Sequence, residues 1–154
     1  MSRKSVFLMA IIGLGLMPFT LVTALSAQTA PKVIVKSVSA TYPAKVTFLS
    51  WQPGGDTRNT ESPASGEKWI VVKATSGVGR DWSGFPANGA VVRDESGKKY
   101  SAITMGYSER REPEFYANGT FMSPITTVMF LFSIPINSKG LKFSYNGGTE
   151  FSIP

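Results

Sequence analysis

The sequence predicts an all-β domain, an immunoglobulin-like antiparallel β-sandwich of seven to eight strands preceded by an N-terminal hydrophobic signal helix. Three observations carry that prediction. Beyond residue 30 no stretch sustains a helical period over ten residues, and turn-forming residues recur every 8 to 12 positions. Between the turns lie short runs rich in β-branched and aromatic residues, the pattern of a strand-rich sandwich rather than of a helical or mixed fold.

The first 25 residues are unlike the rest. Met1 to Ser5 is short and basic, and Val6 to Leu25 holds 15 hydrophobic residues in 20 with no charge. Ser26-Ala27-Gln28-Thr29-Ala30-Pro31 then follows as a small, polar exit. The apolar run partitions into the membrane while the basic end stays behind, which is the pattern of an export signal. Cleavage after Ser26 places Ala24 and Ser26 at the two small-residue positions; cleavage after Ala27 is the alternative. An uncleaved anchor is the competing reading, because about 20 apolar residues span a bilayer. The division is therefore residues 1–26 as signal and 27–154 as the sandwich domain. Those 128 residues carry 14 basic and 10 acidic side chains, a net charge of +4.

The strands follow in order. Val33–Val38 opens the domain, and Lys45–Trp51 alternates less cleanly. Gln52–Gly66 reads as a long loop, with two prolines, three glycines and almost no apolar surface. Lys68–Ala74 is nearly all apolar or β-branched, as a central strand requires. Gly77–Gly89 is irregular. Ala90–Arg93 and Lys99–Ile103 flank the hairpin turn Asp94-Glu95-Ser96-Gly97-Lys98. Thr127–Ile134 is the most hydrophobic run outside the signal, and its length of 8 residues suits a core strand. Leu141–Tyr145 alternates, so Leu141, Phe143 and Tyr145 share one face; Asn146-Gly147-Gly148 turns into Thr149–Ile153. Pro135 and Pro154 cannot donate ladder hydrogen bonds and are placed at strand ends.

Several of these segments resemble one family. Gly66-Glu67-Lys68-Trp69-Ile70-Val71-Val72 is similar to the opening strand of bacterial exported telokin-like domains of the DUF4352 type. Val91–Tyr100, a strand ending in Asp94 with a Gly97-Lys98 turn and Tyr100, resembles their next signature. Met129–Pro135 followed by Leu141-Lys142-Phe143 resembles their closing strands, and the likeness spans residues 30–154. It implies a fold and an extracytoplasmic address, since such domains are exported or surface-attached modules with no assigned reaction.

Composition narrows the chemistry. The chain contains neither histidine nor cysteine. Ser-His-Asp and Cys-His catalysis, thiolate redox chemistry, zinc-finger ligation and an N-terminal lipid anchor are all excluded together. A domain of this size buries enough surface to be stabilised by its core without disulfides. Ser65-x-x-Lys68 and Ser96-x-x-Lys99 match a serine–lysine spacing, but both fall in turns, where nothing holds the pair on one helical face. Glu109-Arg110-Arg111-Glu112-Pro113-Glu114 reads as a solvated, self-paired loop. Met129 belongs to the core strand. The sequence thus implies no catalytic residues, no metal and no cofactor.

The binding candidates lie on loops. Trp82 sits in the irregular Gly79–Pro86 segment, where a tryptophan either caps the core or forms a contact surface. Arg80, Asp81 and Phe85 are its neighbours, and Arg110 and Arg111 supply a second basic loop. The expected function is a non-enzymatic binding or interaction module, extracytoplasmic, whose partner is an envelope protein or polysaccharide. Nucleic acid is not expected, and membrane contact arises only through the N-terminal segment if it is retained. The alternative is a carbohydrate-binding module in which Trp51 and Trp82 stack on sugar faces. Attraction to anionic envelope polymers or headgroups is the physical use of the basic excess.

Overall fold

The computed structural model describes residues 34–50, 52–77, 82, 85–106, 113–116 and 126–154. All of them belong to a unit spanning Pro31–Pro154. The expected signal, residues 1–26, lies outside the described residues.

The described residues form eleven strands: β1 (Val35–Thr41), β2 (Val46–Ser50), β3 (Thr57–Glu61), β4 (Glu67–Ser76), β5 (Ala90–Arg93), β6 (Lys99–Ser101), β7 (Thr104–Gly106), β8 (Glu114–Tyr116), β9 (Thr127–Pro135), β10 (Lys142–Tyr145) and β11 (Phe151–Ser152). They assemble into three sheets, ordered β1-β4-β9-β7, β11-β10-β5-β6 and β3-β2-β8. The fold is all-β, as the sequence predicts, but the expectation of seven to eight strands is corrected to eleven among the described residues.

The added strands, β3, β7 and β8, escaped the sequence pattern for two reasons. Every residue of β3 is exposed, so it carries no hydrophobic alternation; it is held by its ladder to β2, from Val46↔Glu61 to Ser50↔Thr57. It occupies part of the segment expected to be loop. The strands β7 and β8 have three residues each, too few to display a period. Pairing is also not wholly antiparallel, since β2 runs parallel to β8 in the register Thr47↔Glu114, Phe48↔Phe115.

The two long apolar runs, in β4 and β9, pair antiparallel from Glu67↔Pro135 to Thr75↔Thr127. Directly opposed residues share a face, because side chains alternate along each strand. One face therefore carries Ile70, Val72 and Ala74 beside Phe132, Phe130 and Val128, and it packs on Val92, Phe143 and Tyr145 of the β11-β10-β5-β6 sheet. The opposite face carries Trp69 and Val71 with Met129 and Leu131, and packs on Val46 of β2 and Phe115 of β8. Both faces of β4 and β9 are buried, so neither run alternates.

Three local features fix this arrangement. Trp69 Nε1 donates to Glu61 O at 3.3 Å, tying the end of β3 to the central strand. Gly106 lets β7 approach β8: a Cβ there would stand 2.6 Å from Glu114 O and 3.0 Å from Phe115 Cδ1. The β5–β6 hairpin turns at Gly97, whose φ of +87° favours glycine. Among the described residues, every buried side-chain nitrogen and oxygen has a hydrogen-bond partner.

Candidate functional site

The structure sorts the loop residues expected to bind. Trp82 is completely buried. Its ring meets Tyr145 edge-on at 4.9 Å between centroids and Phe130 at 5.3 Å, and its Nε1 donates to Thr126 O at 3.2 Å. Phe85 is half-buried and packs edge-on to both Trp82 and Tyr145. Of the two readings of Trp82, core cap and contact surface, this is the core cap, and its place among the binding residues is corrected: its ring packs on core aromatics and its N–H is already engaged inside the sandwich. Arg80, Asp81, Arg110 and Arg111 lie outside the described residues, as does Trp51.

The two serine–lysine spacings carry other duties. Ser96 Oγ donates to Asp94 Oδ1 at 2.6 Å, within its own turn. Lys68 Nζ donates to Ser138 O at 3.3 Å and lies 5.4 Å from the centre of the Tyr42 ring. Glu114, from the acidic loop, pairs with Arg58 at 3.1 Å.

What the fold does assemble is a row of cations on the outer face of the β11-β10-β5-β6 sheet. Phe143 and Tyr145 of β10, Ala90 and Val92 of β5 and Tyr100 of β6 face the core. Alternation then turns Lys142, Ser144, Val91, Arg93, Lys99 and Ser101 outward. The registers Lys142↔Arg93 and Arg93↔Lys99 place three cations side by side on adjacent strands, with Ser152 of β11 opposite Lys142 at the end of the row. Neighbouring strands lie about 4.8 Å apart, so the backbone positions of Lys142 and Lys99 are separated by roughly 10 Å across the sheet.

The row is rigidly founded. Asp94, the residue after Arg93, is buried, and its Oδ1 accepts from the Ser96 and Lys98 amides at 3.0 Å each as well as from the Ser96 hydroxyl. Its Oδ2 accepts from the Tyr100 hydroxyl at 3.0 Å. These donors, the Ser96 hydroxyl foremost, hold the Asp94 carboxyl below its ordinary range despite the opposing effect of desolvation. The turn thereby fixes the ends of β5 and β6, and with them Arg93 and Lys99.

One carboxylate stands against the three cations. Arg93 Nε and Nη2 donate to Glu150 Oε1 at 3.1 and 2.9 Å, and Nη2 also donates to Oε2 at 2.8 Å. Lys142 Nζ is 3.9 Å from the same carboxylate. The hydrogen bonds from Arg93 hold the Glu150 carboxyl below its ordinary range, helped by the charges of Arg93, Lys142 and Lys99. The arrangement is suited to holding anions: a guanidinium fork matches a carboxylate or phosphate in two places, and flanking ammonium groups add charge.

Part of this site was visible in the chain. Alternation in Leu141–Tyr145 sets Lys142 on the face opposite Leu141, Phe143 and Tyr145, whereas Ala90–Arg93 was legible only as a strand beside a turn, with no face assigned to Arg93. What placed them together is the β5–β10 register, which joins residues 49 positions apart in sequence.

No protein-family model matches the chain, and no curated protein matches it in sequence. Among solved structures, it is similar to an uncharacterized beta-sandwich protein from Clostridium difficile 630, at 13% identity and a TM-score of 0.42, covering 79% of this chain and 82% of that one.

Proposed function

We propose that this chain is an exported, non-enzymatic binding module of the bacterial cell envelope or periplasm, built on an immunoglobulin-like sandwich of the telokin-like kind. Its contact surface is the outer face of the β11-β10-β5-β6 sheet, and its partner is an anionic envelope component. The N-terminal basic, apolar and small-residue segments support the address. The observation that carries the binding role is the row Lys142, Arg93 and Lys99, three cations in register on a sheet whose other face is locked into the core. Three cations against the carboxylates of Glu150 and of Asp94, which also acts on Arg93, leave a small local excess of positive charge that attracts anions and weakens with salt.

A carbohydrate-binding module using Trp51 and Trp82 is the runner-up reading, and the burial of Trp82 removes one of its two stacking rings. The test is co-sedimentation of the purified protein with isolated envelope material at low and high salt. Binding is expected at 50 mM salt, with a several-fold loss at 300 mM and a complete loss in the Lys99→Glu/Lys142→Glu variant. If the charge-reversed variant folds normally by circular dichroism and binds as well as the parent, the proposed surface is wrong.

A further inference from the structure

Resting on that reading of the contact face, we infer that its ligand is a carboxylate-bearing linear polysaccharide lying across the strands, and that Glu150 is the internal carboxylate which the ligand displaces from Arg93. The protein itself displays the recognition geometry. Arg93 grips both oxygens of the Glu150 carboxylate, with contacts of 2.8, 2.9 and 3.1 Å. A ligand carboxylate of the same shape fits the same fork.

The Glu150 carboxylate satisfies the row incompletely. It reaches Lys142 only at 3.9 Å, and it meets Lys99 only through the longer-range field. A polymer supplies what one side chain cannot, several carboxylates in succession for cations carried on three neighbouring strands whose backbones lie about 4.8 Å apart. Hydroxyl groups flank the row, with Ser152 opposite Lys142 and Ser101 and Ser144 on the same face beside Val91. Ser101 and Ser152 are exposed, so they are available to sugar hydroxyls.

Glu150 is placed to leave. Its side chain is 42% exposed, and it sits between the Asn146–Gly147 turn and the two-residue strand β11. Moving it into water requires no change in the core. A linear site also gains by multivalency, because one bound carboxylate raises the local concentration of the next.

The experiment is a titration of the full protein with polygalacturonate, alongside neutral dextran and poly(glycerol phosphate), at 50 mM salt. The parent protein is expected to bind polygalacturonate and not dextran. Glu150→Gln removes the competing charge and is expected to bind at least threefold tighter with an unchanged far-ultraviolet spectrum. Equal or weaker binding by Glu150→Gln overturns the displacement, and preference for poly(glycerol phosphate) overturns the carboxylate class. Either result leaves the basic contact face standing if Lys99→Glu/Lys142→Glu still abolishes binding. Retained binding by that double variant overturns the face and the inference together.

Discussion

Replacing Trp82 tests whether an irregular segment of the chain is structural. Its side chain is wholly buried against Phe130, Tyr145 and Phe85. A tryptophan buries roughly 200 Å², and at about 25 cal/mol per Å² that corresponds to ~5 kcal/mol as an upper figure. Measured truncations of buried aromatic residues to alanine fall at about 3–5 kcal/mol. Against the 5–15 kcal/mol of a typical domain, roughly, Trp82→Ala removes much of the stability.

Trp82→Phe separates the ring from the N–H. It loses the bond to Thr126 O, but that carbonyl still accepts from the Ser76 amide at 2.8 Å and the Ser76 hydroxyl at 3.2 Å. No buried acceptor is orphaned, so the phenylalanine variant should cost only about 1–2 kcal/mol, mainly in lost packing. Urea unfolding followed by circular dichroism gives both numbers. In the fluorescence difference between parent and Trp82→Phe, the lost component should be blue-shifted and inaccessible to acrylamide. A cost below about 1 kcal/mol for Trp82→Ala, or a lost component that is readily quenched, would refute the core assignment.

Other perturbations probe the frame and its titrating groups. Gly106→Ala drives a methyl group into backbone, 2.6 Å from Glu114 O, and should cost about 1–3 kcal/mol in chemical denaturation; an unchanged midpoint would show that β7 and β8 do not pack as described. Asp94 and Glu150 have lowered folded pKa values, so their stabilisation is complete above their ordinary 3.8 and 4.5 and is lost as pH falls through the lower folded values. The thermal midpoint should therefore drop on acidification below pH 4 or so, and Asp94→Asn should flatten that limb; an identical acid limb in the variant counts against the Asp94 turn. Tyr145 is the opposite case: burial pushes its hydroxyl from 10.0 up to about 12, and it donates to Pro86 O at 2.9 Å. Its contribution is present below pH 10 and lost as pH rises toward about 12. Tyr145→Phe should cost about 1 kcal/mol at neutral pH and remove that alkaline loss, as read by denaturation at pH 8 and 11.

The parts of this fold that were legible in the chain are those where burial dictates residue type. In β4 and β9 every side chain between Trp69 and Val72, and between Val128 and Phe132, is buried, so each run had to be apolar on both faces. Phe143 and Tyr145 alternate with polar residues because only one face of β10 is covered. The Asp94–Tyr100 hairpin announced itself through its glycine; that the Asp94 carboxylate collects the donors of the turn is seen only in the folded chain. The strand β3 gave no such signal, since an all-exposed edge strand is stabilised by backbone pairing, to which side-chain type is nearly indifferent.

The sequence by itself determined which strands are central, which faces are polar, and that neither histidine nor thiolate chemistry is present. Local periodicity and composition are sufficient for those, because they depend on each residue's own exposure and kind. Only the tertiary structure decided that a third sheet covers the second face of β4 and β9, that Trp82 belongs to the core, and that Lys142, Arg93 and Lys99 form one row. The row rests on register between strands far apart in the chain, and the third sheet and Trp82 on how whole faces pack together, which no short run of residues sets.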